Sequence, residues 1–196
     1  MKKIRFDDCI CKSRIEEHNI IKDELLSLIE QSPSETLNEL GKDSIHIDHI
    51  SKLDWNSSYD ISRPWAQKFI SHWQIYIREI VQSMGYMGVD VHQCWYQQYQ
   101  ESDIHGWHIH GAHFTGVYYL EFPPKSARTE ICSPYSGKIK KLNVKEGDFV
   151  VFPSHWIHRA PSNKSKRKTI ISWNFNIVTE NLRMDLIKGG KPYIFF

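Results

Sequence analysis

Val89-Asp90-Val91-His92-Gln93-Cys94-Trp95-Tyr96-Gln97-Gln98-Tyr99-Gln100 marks a change of period in this chain. Upstream, apolar residues recur every three or four positions; from residue 88 onward they alternate. Segments near 89–100, 115–122, 128–132, 138–144, 148–152 and 168–178 are rich in Val, Ile, Tyr, Phe and Trp. Turn formers such as Pro123-Pro124, Pro134-Tyr135-Ser136-Gly137 and Glu146-Gly147-Asp148 separate them. Short strands in this number predict an antiparallel jelly roll. Two helices are predicted before it. In the first, residues 19–31 carry Ile21, Leu25, Leu28 and Ile29 at helical spacing, with Pro33 as a stop. In the second, Ser62 is the expected cap and Pro64 the first-turn residue; Trp65, Phe69, Trp73, Ile77, Ile80 and Met84 form a stripe before Gly85. Such a stripe reads as a packing face. Residues 41–63 are polar and weakly patterned, with Trp55 and Tyr59 as expected anchors on the core. The predicted fold is mainly β with supporting helices. Residues 1–87 are expected to form a helical support within the same domain, 88–178 the β core, and 179–196 a tail packing on it.

With 196 residues, 40% of them apolar and 13% aromatic, the chain has enough material for one domain. Lys and Arg number 25 against 23 Asp and Glu. A formal charge of +2 excludes a strongly basic nucleic-acid module. No apolar run reaches the roughly 20 residues of a membrane helix, and Asp7-Asp8 interrupts any signal-peptide pattern, so a cytoplasmic protein is expected. Cys9, Cys11, Cys94 and Cys132 are scattered, as suits reduced thiols; Cys9 and Cys11 lack a second half for a zinc site.

Histidine is the unusual component. Six of 11 fall in two windows: His105, His108, His110 and His113, then His155 and His158. On an extended strand, residues 108 and 110 point to one side and can share a metal. His158, at the end of another strand, would complete a facial set with positions left open for substrate and dioxygen. Taken alone, the His-x-His pair also reads as ordinary loop histidines. His113 is an alternative third ligand; His105 and His155 read as supporting or substrate-facing groups. Arg167 shares an alternating face with Thr169, Ile171, Trp173 and Phe175. If that face looks into the barrel, a guanidinium among apolar neighbours needs an anion, and a ligand carboxylate is the candidate. Lys164, Lys166 and Lys168 read as exposed.

The ordered set His108-Ile-His110, Thr115-Gly-Val-Tyr-Tyr-Leu120, Gly147-Asp-Phe-Val-Val-Phe-Pro-Ser154, His158, and Arg167 before Ile170 and Trp173 resembles the Fe(II)- and 2-oxoglutarate-dependent dioxygenases. Within that superfamily it is most similar to the prolyl-hydroxylase-like oxygenases of microbes and phages. The resemblance covers about residues 88–178 and implies a double-stranded β-helix, the jelly roll above. It also implies a hydroxylase that couples decarboxylation of 2-oxoglutarate to oxidation of a substrate C–H bond with O2, ascorbate serving to keep iron reduced. His108, His110 and His158 are the implied metal ligands. Arg167 and Tyr119 are the implied partners of the far 2-oxoglutarate carboxylate; Thr169, on the same face as Arg167, reads either as an added hydroxyl in that pocket or as an ordinary strand threonine. His110 departs from the usual His-x-Asp or His-x-Glu and leaves the site one negative charge poorer.

Two other functions fit the same residues. One is a three-histidine, cupin-like metal dioxygenase that does not use 2-oxoglutarate; the other is a non-catalytic jelly-roll binding protein. A small molecule, protein or peptide is the expected substrate, with nucleic acid disfavoured by the small net charge. Loops 101–114 and 123–138 are expected to select it. Imidazole ligands predict a loss of activity below about pH 6.

Overall fold

The parity of the last long strand decides how the molecule is layered. In the computed structural model, which describes residues 10–40 and 47–178, Ile171, Trp173 and Phe175 pack toward the helices. Lys168, Ile170, Ser172 and Asn174 point to the opposite, inner side, where Ile170 joins a second core. The apolar face of Arg167–Val178 thus serves the helix layer. The barrel interior takes the more polar face.

The elements run β1 (Cys11–Arg14), α1 (His18–Gln31), β2 (Glu35–Leu40), β3 (Ile47–Leu53), a short 3-10 turn (Trp55–Ser57) and α2 (Pro64–Ser83). Then come β4 (Gly88–Gln100), β5 (His105–His108), β6 (Phe114–Glu121), β7 (Glu130–Cys132), β8 (Ile139–Lys141), β9 (Asp148–Pro153), β10 (Ile157–Ala160) and β11 (Arg167–Val178). A seven-stranded sheet in the order β1-β9-β6-β11-β4-β3-β2 faces a four-stranded sheet, β5-β10-β7-β8. All pairings between strands are antiparallel. The protein is a mostly β jelly roll with two helices.

Helix α2 forms from its stripe. Trp65, Phe69, Trp73, Ile77 and Ile80 are all buried against the major sheet, each stabilising by about 1.5–3 kcal/mol relative to exposure. Trp173 meets Trp73 edge-on at 4.9 Å and Phe69 at 5.4 Å. Gly116 on β6 is required there, since a Cβ would sit 2.0 Å from the Trp173 ring. The expected Ser62 cap is not made: Arg63 is the N-cap residue, and the Ser62 hydroxyl donates to Asp60 instead. Arg63 pairs with buried Asp54 and donates to the Cys94 carbonyl, tying the helix start to β4.

The segment before residue 88 holds three strands as well as its helices. β1 extends one edge of the major sheet, and β3 and β2 extend the other through β4. Strand β3 falls within the stretch expected to be turn-rich. Trp55 and Tyr59 are not core anchors; they are 38% and 73% exposed on the rim of a cleft. Cys9 and the docking expected of residues 179–196 lie outside the described residues. Among the described residues, no helix is long and apolar enough to cross a membrane.

Candidate metal centre

His108 and His158 are cross-strand partners, facing each other in the register of β5 and β10. Their rings lie 4.2 Å apart. His110 comes just past the end of β5 and is held there by its N–H donating to the Ser154 carbonyl at 3.0 Å. Side-chain nitrogens of His108, His110 and His158 all fall within 4.8 Å of one another.

Backbone contacts set the tautomers. Nδ1–H of His108 donates to Gly106 O at 2.8 Å, and Nδ1–H of His158 donates to Trp156 O at 2.9 Å. Each Nε2 is left with its lone pair facing the cluster, as a metal ligand requires. Nε2 of His158 stands 3.2 Å from Nε2 of His110. Two nitrogens each about 2.1 Å from a shared ion, at right angles, stand about 3 Å apart. The donor set therefore fits a transition-metal ion. Burial, and then neighbouring imidazoles, push His110 down to about 3; burial likewise lowers His108 and His158. All three stay neutral where a free imidazole would be charged.

The other histidines separate. His105 stacks on His108 with ring centroids 3.8 Å apart, and its Nδ1 meets Gln97 Nε2 at 3.3 Å. His113 lies outside the cluster, accepting the Ile177 N–H at 3.2 Å. His155 is exposed.

Arg167 does not reach the barrel interior. Its guanidinium forks onto Glu121, with Nε to Oε2 at 2.7 Å and Nη2 to Oε1 at 3.0 Å, and Nη1 bonds Glu30 at 3.0 Å. Thr169 is buried on the same side and donates to Glu121 Oε2 at 2.9 Å. In place of the ligand carboxylate expected for it, Arg167 meets protein carboxylates from the neighbouring strand β6 and from α1. The cation on the inner face is Lys168, expected to be exposed and in fact 1% exposed. Its Nζ lies 3.9 Å from the Tyr99 ring centroid and, among the described residues, donates only to Ala127 O at 3.2 Å. Burial lowers it to about 7. The nearby Asp103 carboxylate is engaged by His49 Nδ1 and by the N–H groups of Ser51 and Gln100. The buried Tyr99 hydroxyl has no hydrogen-bond partner among the described residues. An ammonium with spare donors beside an unpaired hydroxyl suits a carboxylate. Tyr119 is also on the inner side, its hydroxyl donating to Thr129 Oγ1 at 2.8 Å.

A cleft of about 730 Å³ opens over His105, His108 and His110. Glu35, Thr36 and Leu37 of β2 help line it, together with Trp55, Asn56 and Tyr59. Among the described residues no Lys or Arg lines it, and Glu35 has both oxygens on Asn56. Loop 123–138 does not line it, contrary to expectation, whereas the amino-terminal segment does. Trp95 lines a smaller adjoining pocket shared with His108, His110 and His158, its ring 5.4 Å from the His110 ring, while Tyr96 faces the helices.

No family model and no curated protein matches the sequence. Solved structures match the fold. The nogalamycin-biosynthesis epimerase SnoN, non-heme and alpha-ketoglutarate-dependent, aligns with a TM-score of 0.65 at 11% identity, over 86% of this chain and 77% of its own. A prolyl hydroxylase of Trichoplax adhaerens, solved with a hypoxia inducible factor peptide, gives 0.60 at 16%, over 86% and 84%. A Pseudomonas putida prolyl-4-hydroxylase gives 0.54 at 12%, over 85% and 92%. The solved structures that resemble this chain are consistently 2-oxoglutarate–Fe(II) oxygenases, and its three-histidine cluster sits on the jelly-roll fold they share.

Proposed function

We propose that the protein is an Fe(II)- and 2-oxoglutarate-dependent oxygenase, acting as a hydroxylase on a small-molecule or peptide substrate. The observation that carries this reading is the pairing, on one inner surface, of three neutral imidazoles with a buried ammonium that bonds no carboxylate among the described residues. His108, His110 and His158 would hold the iron, and Lys168 with Tyr99 would take the far carboxylate of 2-oxoglutarate. Tyr119 would support that pocket through Thr129. Bound iron and 2-oxoglutarate would supply the oxidising chemistry. The chain's part is to fix the imidazoles by their Nδ1 bonds, keep the carboxylate pocket dry, and orient substrate in the cleft. The cleft's exposed Trp55 and Tyr59 support a substrate with a flat or apolar face, and its Glu35 carboxylate, with no Lys or Arg among the described lining residues, disfavours nucleic acid. SnoN has been solved with Fe3+ and alpha ketoglutarate, which supports this pair of groups for the fold.

The test is anaerobic loading with Fe(II), followed by oxygen-dependent conversion of 2-oxoglutarate to succinate. Wild type should form succinate, and His108→Ala and Lys168→Met should not. The third imidazole, His110, favours one rival: a three-histidine dioxygenase that binds a carboxylate substrate directly. Iron binding with oxygen uptake but no succinate, across a substrate panel, would favour that rival.

A further inference from the structure

Asp48, on β3, is bound to the metal-facing strand without belonging to the cluster. Its Oδ1 accepts the Gly106 N–H at 2.6 Å and stands 4.0 Å from His105 Nε2. Gly106 in turn accepts Nδ1–H of His108, and the His105 ring stacks on the His108 ring at 3.8 Å with planes 17° apart. Two contact paths therefore join this carboxylate to one imidazole of the cluster, through the backbone at Gly106 and through the stacked ring.

We propose that Asp48 supplies the negative charge that a three-imidazole set lacks, acting on the bound metal as a positioning residue through His108. The inference rests on reading the cluster as an iron site. Three neutral ligands leave a divalent ion's charge uncompensated, and a ferric ion's still more so. A carboxylate in the surrounding shell offsets both, the ferric state most strongly. Neither of two other acids nearby shares these contact paths: Glu35 bonds Asn56, and Asp103 bonds His49 and two backbone N–H groups. Asp48 is 17% exposed, so water screens it only partly. Its charge reaches His108, opposing the effect of burial on that ring.

Asp48 also ties β3 to β5, and a tether needs only a hydrogen-bond acceptor. Asp48→Asn separates the two roles, because its amide oxygen still accepts the Gly106 N–H while the charge is gone. The experiment titrates Fe(II) into the metal-free protein anaerobically and measures the Fe(III)/Fe(II) midpoint potential, with thermal unfolding of the metal-free protein as control. For Asp48→Asn, Fe(II) affinity should fall about 10-fold and Fe(III) affinity about 100-fold. The tenfold difference raises the potential by about 59 mV, with the unfolding midpoint unchanged. Asp48→Ser, shorter and also neutral, should shift the potential the same way. Wild-type affinity and potential in both variants would overturn the proposal and leave a tether. A wild type that takes up no iron would overturn the parent reading and this one with it.

Discussion

Lys168→Met separates the roles of the buried ammonium most sharply. Burial lowers the Lys168 amine from 10.5 to about 7, a depression equivalent to about 5 kcal/mol against the charged form. Methionine fills a similar volume on the Tyr99 ring without charge. Replacing even a buried ion pair by well-packed apolar groups is often neutral or stabilising by about 1–4 kcal/mol, and this amine has no ion pair to lose among the described residues, so the metal-free variant should be at least as stable as wild type. The sign with pH follows. The unfolded chain holds this proton up to about 10.5 and the folded chain loses it above about 7. Wild-type stability should therefore rise with pH between those values, and the variant should lack that slope. In the metal-loaded protein the same change leaves a ligand carboxylate unpaired, at a cost of about 2–5 kcal/mol in 2-oxoglutarate affinity. Denaturant unfolding and anaerobic isothermal titration calorimetry read the two effects. A variant that binds 2-oxoglutarate like wild type, or that is less stable without metal, would refute the reasoning.

Other consequences are open to simpler measurements. Arg167→Ala should leave 2-oxoglutarate affinity within about twofold of wild type and cost at most about 1 kcal/mol of stability, since its partly exposed ion pairs lie on the helix side; a large affinity loss would restore Arg167 to the site. Burial lowers the cluster imidazoles, so protons compete less for them. Iron affinity at pH 5.5 should then stay within about threefold of its value at pH 7, and the acid limb should move below the pH 6 that the sequence suggests. A tenfold loss by pH 5.5 would contradict this. Because the folded values lie below the unfolded value near 6.5, metal-free stability should decline as pH falls through that point. Gly116→Ala should destabilise by about 1–3 kcal/mol or more, as the new methyl meets the Trp173 ring; an unchanged unfolding midpoint would refute that packing.

The jelly roll and both helices were legible because each rests on local periodicity: Trp65 to Ile80 by threes and fours, and β4 and β11 by twos. The convergence of His108, His110 and His158 was legible because the two histidine windows fall at strand ends in the alternating part of the chain. The face of β11 was not. Alternation reveals two faces but not which layer each meets, and a jelly roll under helices has apolar demand on both. The richer apolar face went to the aromatic helix stripe, so the inner cation is Lys168 rather than Arg167. Within a basic run, nothing local separates the lysine that the fold buries from those it leaves in water. The cleft wall from β2, Trp55 and Tyr59 was hidden for a related reason: β2 pairs with β3, and β3 joins the sheet only through its long-range pairing with β4.

A crystal structure of the protein prepared anaerobically with Fe(II) and 2-oxoglutarate tests the account most directly. It should show one ion about 2.1 Å from Nε2 of His108, His110 and His158, with the far carboxylate against Lys168 Nζ and the Tyr99 hydroxyl. An ion bound elsewhere, or a carboxylate drawn to Arg167 with Glu121 displaced, would contradict it.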